Sequence, residues 1–174
     1  LREYVYRGGT LFVGGGTRAF GHGGYANTFL ENLLPVTGAK LDLEKAEGEA
    51  QWIRSTHEHE LTKQVFSTLK PSENPFSNSL VSVRLKVDAR NIWIHRVRSK
   101  PGATVLLEAG DQPLLTVGQF GRGTVYAMTG TPLGELGDVG TPWWNWEGWQ
   151  TVLDNILARA SGKVQWMEPL MSGK

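Results

Sequence analysis

The sequence predicts a mixed α/β domain, one that reads as a fold entered partway through. Three observations predict it. A helix–glycine–strand–glycine unit opens the chain, short alternating apolar segments fill its second half, and one long amphipathic helix closes it.

The opening stretch Leu1 to Arg7 places Leu1, Tyr4 and Val5 on one helical face, and Gly8-Gly9 ends it as a C-cap would. Thr10 to Val13 reads as a short buried strand. It enters Gly14, Gly15 and Gly16, then Thr17 and Arg18, and a second glycine cluster at Gly21, Gly23 and Gly24 before Tyr25. Glycines at a strand end permit a sharp turn and the close approach of another group. Ligands of open α/β sheets bind at the carboxyl ends of strands, so this loop marks the expected site. Asn27 or Thr28 can cap a helix through Leu34, with Thr28 and Glu31 in capping-box spacing and Pro35 as the stop. Its N–H groups and positive dipole end are expected near the turn.

Lys40 to Ser79 is the least legible stretch, with a strand at Gln51 to Thr56, a short helix at Glu60 to Leu69 and a loop from Pro71. Leu80 to Val87 and Ile92 to Val97 alternate as strands with one covered and one wet face. Pro101-Gly102 is a turn, Thr104 to Leu107 a strand, and Gly110-Asp111 another turn. Leu114 to Val117 and Thr124 to Met128 flank the loop 118–123 as an antiparallel hairpin. In the helix from Asn145 to Ala160, Trp146, Trp149, Val152, Leu153, Ile156 and Leu157 form the apolar stripe; Asn145 is the expected cap and Ser161-Gly162 the end. The domain is read as residues 1–162, and 163–174 as a tail or linker. A parallel sheet needs neighbours on both sides of each inner strand, so one or more strands are expected upstream of Leu1.

At 174 residues the chain has length for one domain with a sizeable core. A net charge of +1 argues against nucleic acid or anionic membrane as partners. No apolar run approaches the roughly 18 residues of a membrane span. The chain has no cysteine, which excludes disulfides and thiolate chemistry and fits reducing and oxidising compartments equally. Of seven tryptophans, four crowd at Trp143, Trp144, Trp146 and Trp149. A packed aromatic corner beneath the last helix is the favoured reading; a stacking surface for a sugar or partner is the other.

The order LREYVYRGGTLFVGGG, FGHGGYANTFLENLLPV, KPGATVLLEAGDQPLLTVGQFGRGTVYAMTGT and WWNWEGWQTVLDNIL resembles the class I glutamine amidotransferase-like superfamily. Within it, the chain is most similar to an uncharacterised bacterial branch that lacks the catalytic cysteine and histidine. Thr37 to Val97 matches only loosely. The resemblance implies a three-layer, flavodoxin-like sheet with flanking helices, lacking its N-terminal strands here. It also implies that a cysteine on a strand-to-helix turn, exposed there with backbone N–H groups aimed at the developing oxyanion, would fall at Gly15 or Gly16. The family's histidine would follow the strand Thr124 to Met128, where Thr129-Gly130-Thr131-Pro132 stands instead. Neither nucleophile nor base is present, and glutamine hydrolysis is not expected.

Other candidates carry less. Thr17 is a hydroxyl nucleophile only with an adjacent base, and His22 in the same loop has no evident orienting third group. His57-Glu58-His59-Glu60 lacks a third ligand at metal-site spacing and reads as a solvated segment; no metal and no cofactor are assigned. Gly14 to Arg18 resembles a phosphate cradle in composition alone, with Arg18 as the one cation. Gly121-Arg122-Gly123 is a hairpin turn. Arg84, Lys86, Arg90, Arg96, Arg98 and Lys100 read as the wet face of strands.

The expected function is a non-catalytic module of a larger bacterial protein, binding a ligand or another domain or chain; a homo-oligomer also fits. Its candidate surface is Gly14, Gly15, Gly16, Thr17, Arg18, His22, Gly24 and Tyr25, with Thr129 and Thr131 beside them. A hydrolase of a small or sugar-like substrate and a purely structural domain are the alternatives. The sequence sets no compartment.

Overall fold

A computed structural model describes residues 1–37, 43–45, 51–56, 58–66, 89–134, 136 and 140–162. Helix α1 (Arg2–Tyr6) feeds strand β1 (Thr10–Gly14), and α2 (Phe29–Leu33) follows the glycine loop. Short strands β2 (Val36–Thr37), β3 (Leu43–Lys45) and β4 (Gln51–Arg54) precede α3 (Lys63–Phe66). Then come β5 (Ala89–Asn91), β6 (Trp93–His95), β7 (Arg98–Ser99), β8 (Thr104–Ala109), β9 (Gln112–Phe120) and β10 (Gly123–Met128). The last elements are β11 (Gly130–Thr131), β12 (Thr141–Pro142), a 3-10 turn at Trp143–Asn145 and α4 (Glu147–Ala160).

The fold is mixed α/β. Its main sheet has seven strands in the order β1-β10-β9-β8-β4-β5-β12, beside sheets β11-β6-β3 and β2-β7. Parallel pairing joins β1 to β10 and β12 to β5, and the other pairings in the main sheet are antiparallel. The expected hairpin is present. It is longer than read, because β9 runs on to Phe120 and pairs it with Gly123 across the two-residue turn Gly121-Arg122. Gly121 takes φ +61°, which glycine adopts without steric cost.

Strand β10 is the axis of the core. Val125, Tyr126, Ala127 and Met128 are all buried, so both faces of the strand are covered. On one face Tyr126 and Met128 join Leu106, Leu114, Trp143, Val152 and Ile156 under α4. On the other, Ala127 packs with Ala19, Phe20, Leu34, Val36 and Val97. α4 forms as its apolar stripe predicts, but Leu157 on that stripe is exposed and Asn145 is not its cap. Asn145 instead belongs to the 3-10 turn in which Trp146 N–H bonds Trp143 O, because burial of Trp143 pulls that turn onto the sheet.

Two expectations fail at the front of the chain. β1 is not buried: it is an edge strand of the described sheet, and Phe12 is exposed. Of the three residues expected on the covered face of α1, only Val5 is buried, and Leu1 and Tyr4 stand in solvent. Ile92 to Val97 is not one alternating strand either. It breaks after β6, and Ile94 and His95 are both buried because both faces of β6 are covered. Leu80 to Val87, His57 and 163–174 lie outside the described residues.

Candidate functional site at the carboxyl end of β1

The register pairs Gly14 with Met128, so Gly15 and Thr129 leave the sheet side by side. The glycine loop and residues 129–131 therefore do meet. A Cβ on Gly15 would stand 2.4 Å from Gly130 O and 3.0 Å from Thr129 O. Only glycine fits there. On Gly16 a Cβ would meet nothing within 4 Å. Of the two positions where the resemblance puts the family's cysteine, backbone closes the first and the second is open.

Beneath the loop lies a residue that the strand pattern did not single out. His95 is fully buried, its Nε2 is 3.1 Å from Gly16 O, and its backbone N–H donates to Thr129 O at 3.0 Å. A carbonyl oxygen only accepts, so Nε2 carries the proton in this bond. His95 thus ties the loop to the strand end from below. The one signal in the sequence was an imidazole within the apolar run IWIHRV.

The loop itself is fixed by its backbone. Ala19 N–H bonds Gly16 O, Gly23 N–H bonds Ala19 O, and Tyr25 N–H bonds Phe20 O. Phe20, fully buried at φ +48°, fills the interior, with its ring centroid 4.8 Å from His95 and 5.8 Å from Tyr25. Thr17, Arg18, His22 and Gly24 face outward and are exposed, and Tyr25 is half-buried. The Thr17 hydroxyl has no hydrogen-bond partner among the described residues, so the nucleophile–base pair considered for Thr17 and His22 does not form.

Thr129 and Thr131 sit beside the loop but not on its surface, since both are buried. The Thr129 hydroxyl donates to Pro113 O at 2.5 Å, toward β9. One N–H of the first turn of α2 is spent, as Thr28 Oγ1 accepts from Leu30 N–H at 3.2 Å; ahead of the cap, Glu31 accepts from Asn27 N–H at 2.7 Å. Glu31 thus reaches one residue further back than a capping box requires.

A second feature was not legible in sequence. A Cβ on Gly130 would stand 2.7 Å from Asn91 Oδ1 and 3.2 Å from Trp143 Nε1, so both polar atoms crowd this glycine. Both Asn91 amide atoms, the Trp143 indole nitrogen and the Thr131 hydroxyl are buried without a hydrogen-bond partner. Such groups cost stability, and their position at the strand end is where a site would place them.

Elsewhere, a cleft of about 500 Å³ is lined by Gln64, Val65, Thr141, Asn145, Trp146, Glu147, Gly148 and Thr151. A smaller one of about 210 Å³ includes His59, Gln119, Tyr126 and Arg159. No glycine-loop residue lines either. His59 Nδ1 accepts from Leu61 N–H at 3.2 Å, which occupies that nitrogen. Burial pushes the Tyr126 phenol above its ordinary value. Burial also lowers the Lys100 ammonium, opposed by the Glu31 carboxylate, while Lys100 Nζ donates to Glu31 O. Among the expected basic strand residues, Arg90 is instead largely buried over the Trp52 ring at 3.7 Å. Among the described residues, no helix is long and apolar enough to cross a membrane.

The sequence matches no protein-family model and no curated protein. Solved structures share the fold. The cytoplasmic protein STM1381 of Salmonella typhimurium LT2 aligns over 91% of this chain at 23% identity with a TM-score of 0.65. The cytoplasmic protein STM3548 of Salmonella typhimurium aligns over 91% at 20% identity and 0.64. A β-galactosidase from Bacillus circulans sp. alkalophilus aligns over 92% at 14% identity and 0.52. The chain spans 58% and 57% of the two Salmonella chains and 20% of the glycosidase.

Proposed function

We propose that residues 1–162 are a non-catalytic, amidotransferase-like module of a larger bacterial protein, acting through contacts at the glycine-loop end. The observation that carries the reading is the closed position at Gly15, where a Cβ would lie 2.4 Å from Gly130 O. Backbone leaves no room for a nucleophile at Gly15; Gly16 is open, and there the reading rests on a glycine standing where the family's cysteine would. The chain also has no cysteine, and Thr129-Gly130-Thr131 stands where the family's histidine would follow. Because Phe20 fills the interior of the loop, contact is assigned to its outer surface, Gly14, Gly16, Thr17, Arg18, His22, Gly24 and the exposed part of Tyr25. Gly15, Thr129 and Thr131 are framework beneath it.

The flavodoxin-like, three-layer sheet belongs to the same proposal. In the described sheet β1 pairs on one side only, in parallel with β10. Leu1, Tyr4, Tyr6 and Phe12 are exposed apolar residues on β1 and the helix that feeds it. A parallel strand from outside residues 1–174 would use the backbone groups of β1 that are unpaired among the described residues. The same fold making up only part of three longer chains supports a module.

Two measurements test this. The purified chain is expected to release no ammonia from glutamine above the buffer rate, and release would overturn the non-catalytic reading. In the parent protein, amide exchange along 10–14 is expected to slow relative to residues 1–174 alone; equal exchange would remove the missing-strand part.

A further inference from the structure

Three of the four clustered tryptophans pack on one another. Trp143 meets Trp144 edge-on at 5.7 Å and Trp149 at 5.0 Å, and Trp149 reaches Phe12 on β1. Trp146 also packs against the core, with other neighbours. It lies edge-on to Phe66 at 5.7 Å and lines the cleft of about 500 Å³ between α3 and the start of α4. Its indole is seated against a glycine: a Cβ on buried Gly148 would stand 2.2 Å from the ring and 2.4 Å from Val65. A side chain at position 148 would push the ring out of its place.

The rest of the lining is polar and nearly neutral. Gln64 and Asn145 bring amides, Thr141 and Thr151 hydroxyls, and Glu147 the single charge among the described lining residues. Asn145, the cap expected from sequence, is not spent on α4, and its exposed amide makes no hydrogen bond among the described residues. Amides both donate and accept, which matches hydroxyl groups that do the same. An aromatic ring offers an apolar surface to C–H groups. Among the described residues the lining has one carboxylate and no cation, which disfavours phosphate or carboxylate ligands. The volume lies within the roughly 300–1,000 Å³ of small-molecule sites.

From this combination we infer that the cleft binds a neutral sugar, with Trp146 as its apolar platform and Asn145, Gln64 and Glu147 as its hydrogen-bonding groups. The inference is independent of the glycine loop and holds whether or not that surface has a partner.

The test is titration of the purified chain, followed by NMR of the indole and side-chain amide N–H groups. The probes are glucose, galactose, lactose and cellobiose, with glycerol and glucose 6-phosphate as controls. At least one neutral sugar is expected to give saturable shifts at Trp146 and Asn145. Asn145→Ala, at an exposed position outside α4, is expected to keep the fold and weaken binding about fivefold to tenfold, a loss of one or two hydrogen bonds. Trp146→Ala is expected to abolish binding, with its folding checked by the dispersion of the remaining indole signals. Absence of saturable shifts with every neutral sugar would overturn the inference. So would binding unaffected by Asn145→Ala, or glucose 6-phosphate binding more tightly than glucose.

Discussion

Replacing Gly15 by alanine puts a methyl group where backbone already stands. The new carbon would lie 2.4 Å from Gly130 O, 2.9 Å from Gly130 C and 3.0 Å from Thr129 O. Ordinary contact begins near 3.4 Å, so the segment must retreat by about 1 Å. It is held from three directions. Thr129 N–H donates to Leu114 O at 2.8 Å, Thr129 O accepts from His95 N–H, and the Thr129 hydroxyl bonds Pro113 O. Overpacking of this kind costs about 1–3 kcal/mol. For a chain of this size that lowers Tm by about 2–12 °C. Gly16→Ala is the internal control, since nothing lies within 4 Å and its φ is not left-handed. It is expected to be neutral or to gain about 0.4–1 kcal/mol by restricting the unfolded chain. Urea denaturation of both variants beside the parent sequence measures the difference. A Gly15→Ala variant as stable as the original, or a Gly16→Ala variant equally destabilised, would refute the account of the strand end.

His95→Phe keeps the buried ring and loses the bond to Gly16 O, for a cost of about 0.5–1.5 kcal/mol. His95→Ala also removes the ring stacked on Phe20 and should cost about 3–5 kcal/mol; equal losses in the two variants would contradict a packing role. Thr28→Ala removes the α2 cap and is expected to lower stability by about 1 kcal/mol, read as a shift in urea midpoint. Tyr126 stays protonated in the folded chain above 10.0, where the unfolded chain has lost that proton. Folding stability therefore falls as pH rises above 10.0, and Tyr126→Phe should flatten that fall in urea titrations at alkaline pH. Lys100 acts oppositely. Its lowered value makes stability rise with pH up to 10.5, and Lys100→Met should remove that rise.

Much of the site was legible because it is local. The apolar run of Thr10 to Val13 and the glycines after it locate the strand end, and of the two caps the sequence offered, Asn27 and Thr28, the structure uses Thr28. The placing of Thr129 to Thr131 beside that loop came through the resemblance rather than from any local pattern. His95, Phe20 and Asn91 were missed because their roles depend on contacts across the chain. Nothing near His95 in sequence indicates that Gly16, 79 residues away, supplies its acceptor. The α4 cap was misplaced for a related reason, as Asn145 has the better capping side chain but burial of Trp143 decides the turn.

By itself the sequence determined the mixed α/β class, the paired strands around Gly110 and Gly121, the last helix and the absence of a thiol. Those follow from periodicity, turn residues and composition, each contained within a few neighbouring positions. Only tertiary structure decided that β1 lies at an edge of the described sheet, that backbone closes Gly15 while Gly16 stays open, and that Trp146, packed on the core like its neighbours, also lines a cleft. Each of these depends on which distant atoms occupy the surrounding space, a quantity that no local window of residues contains.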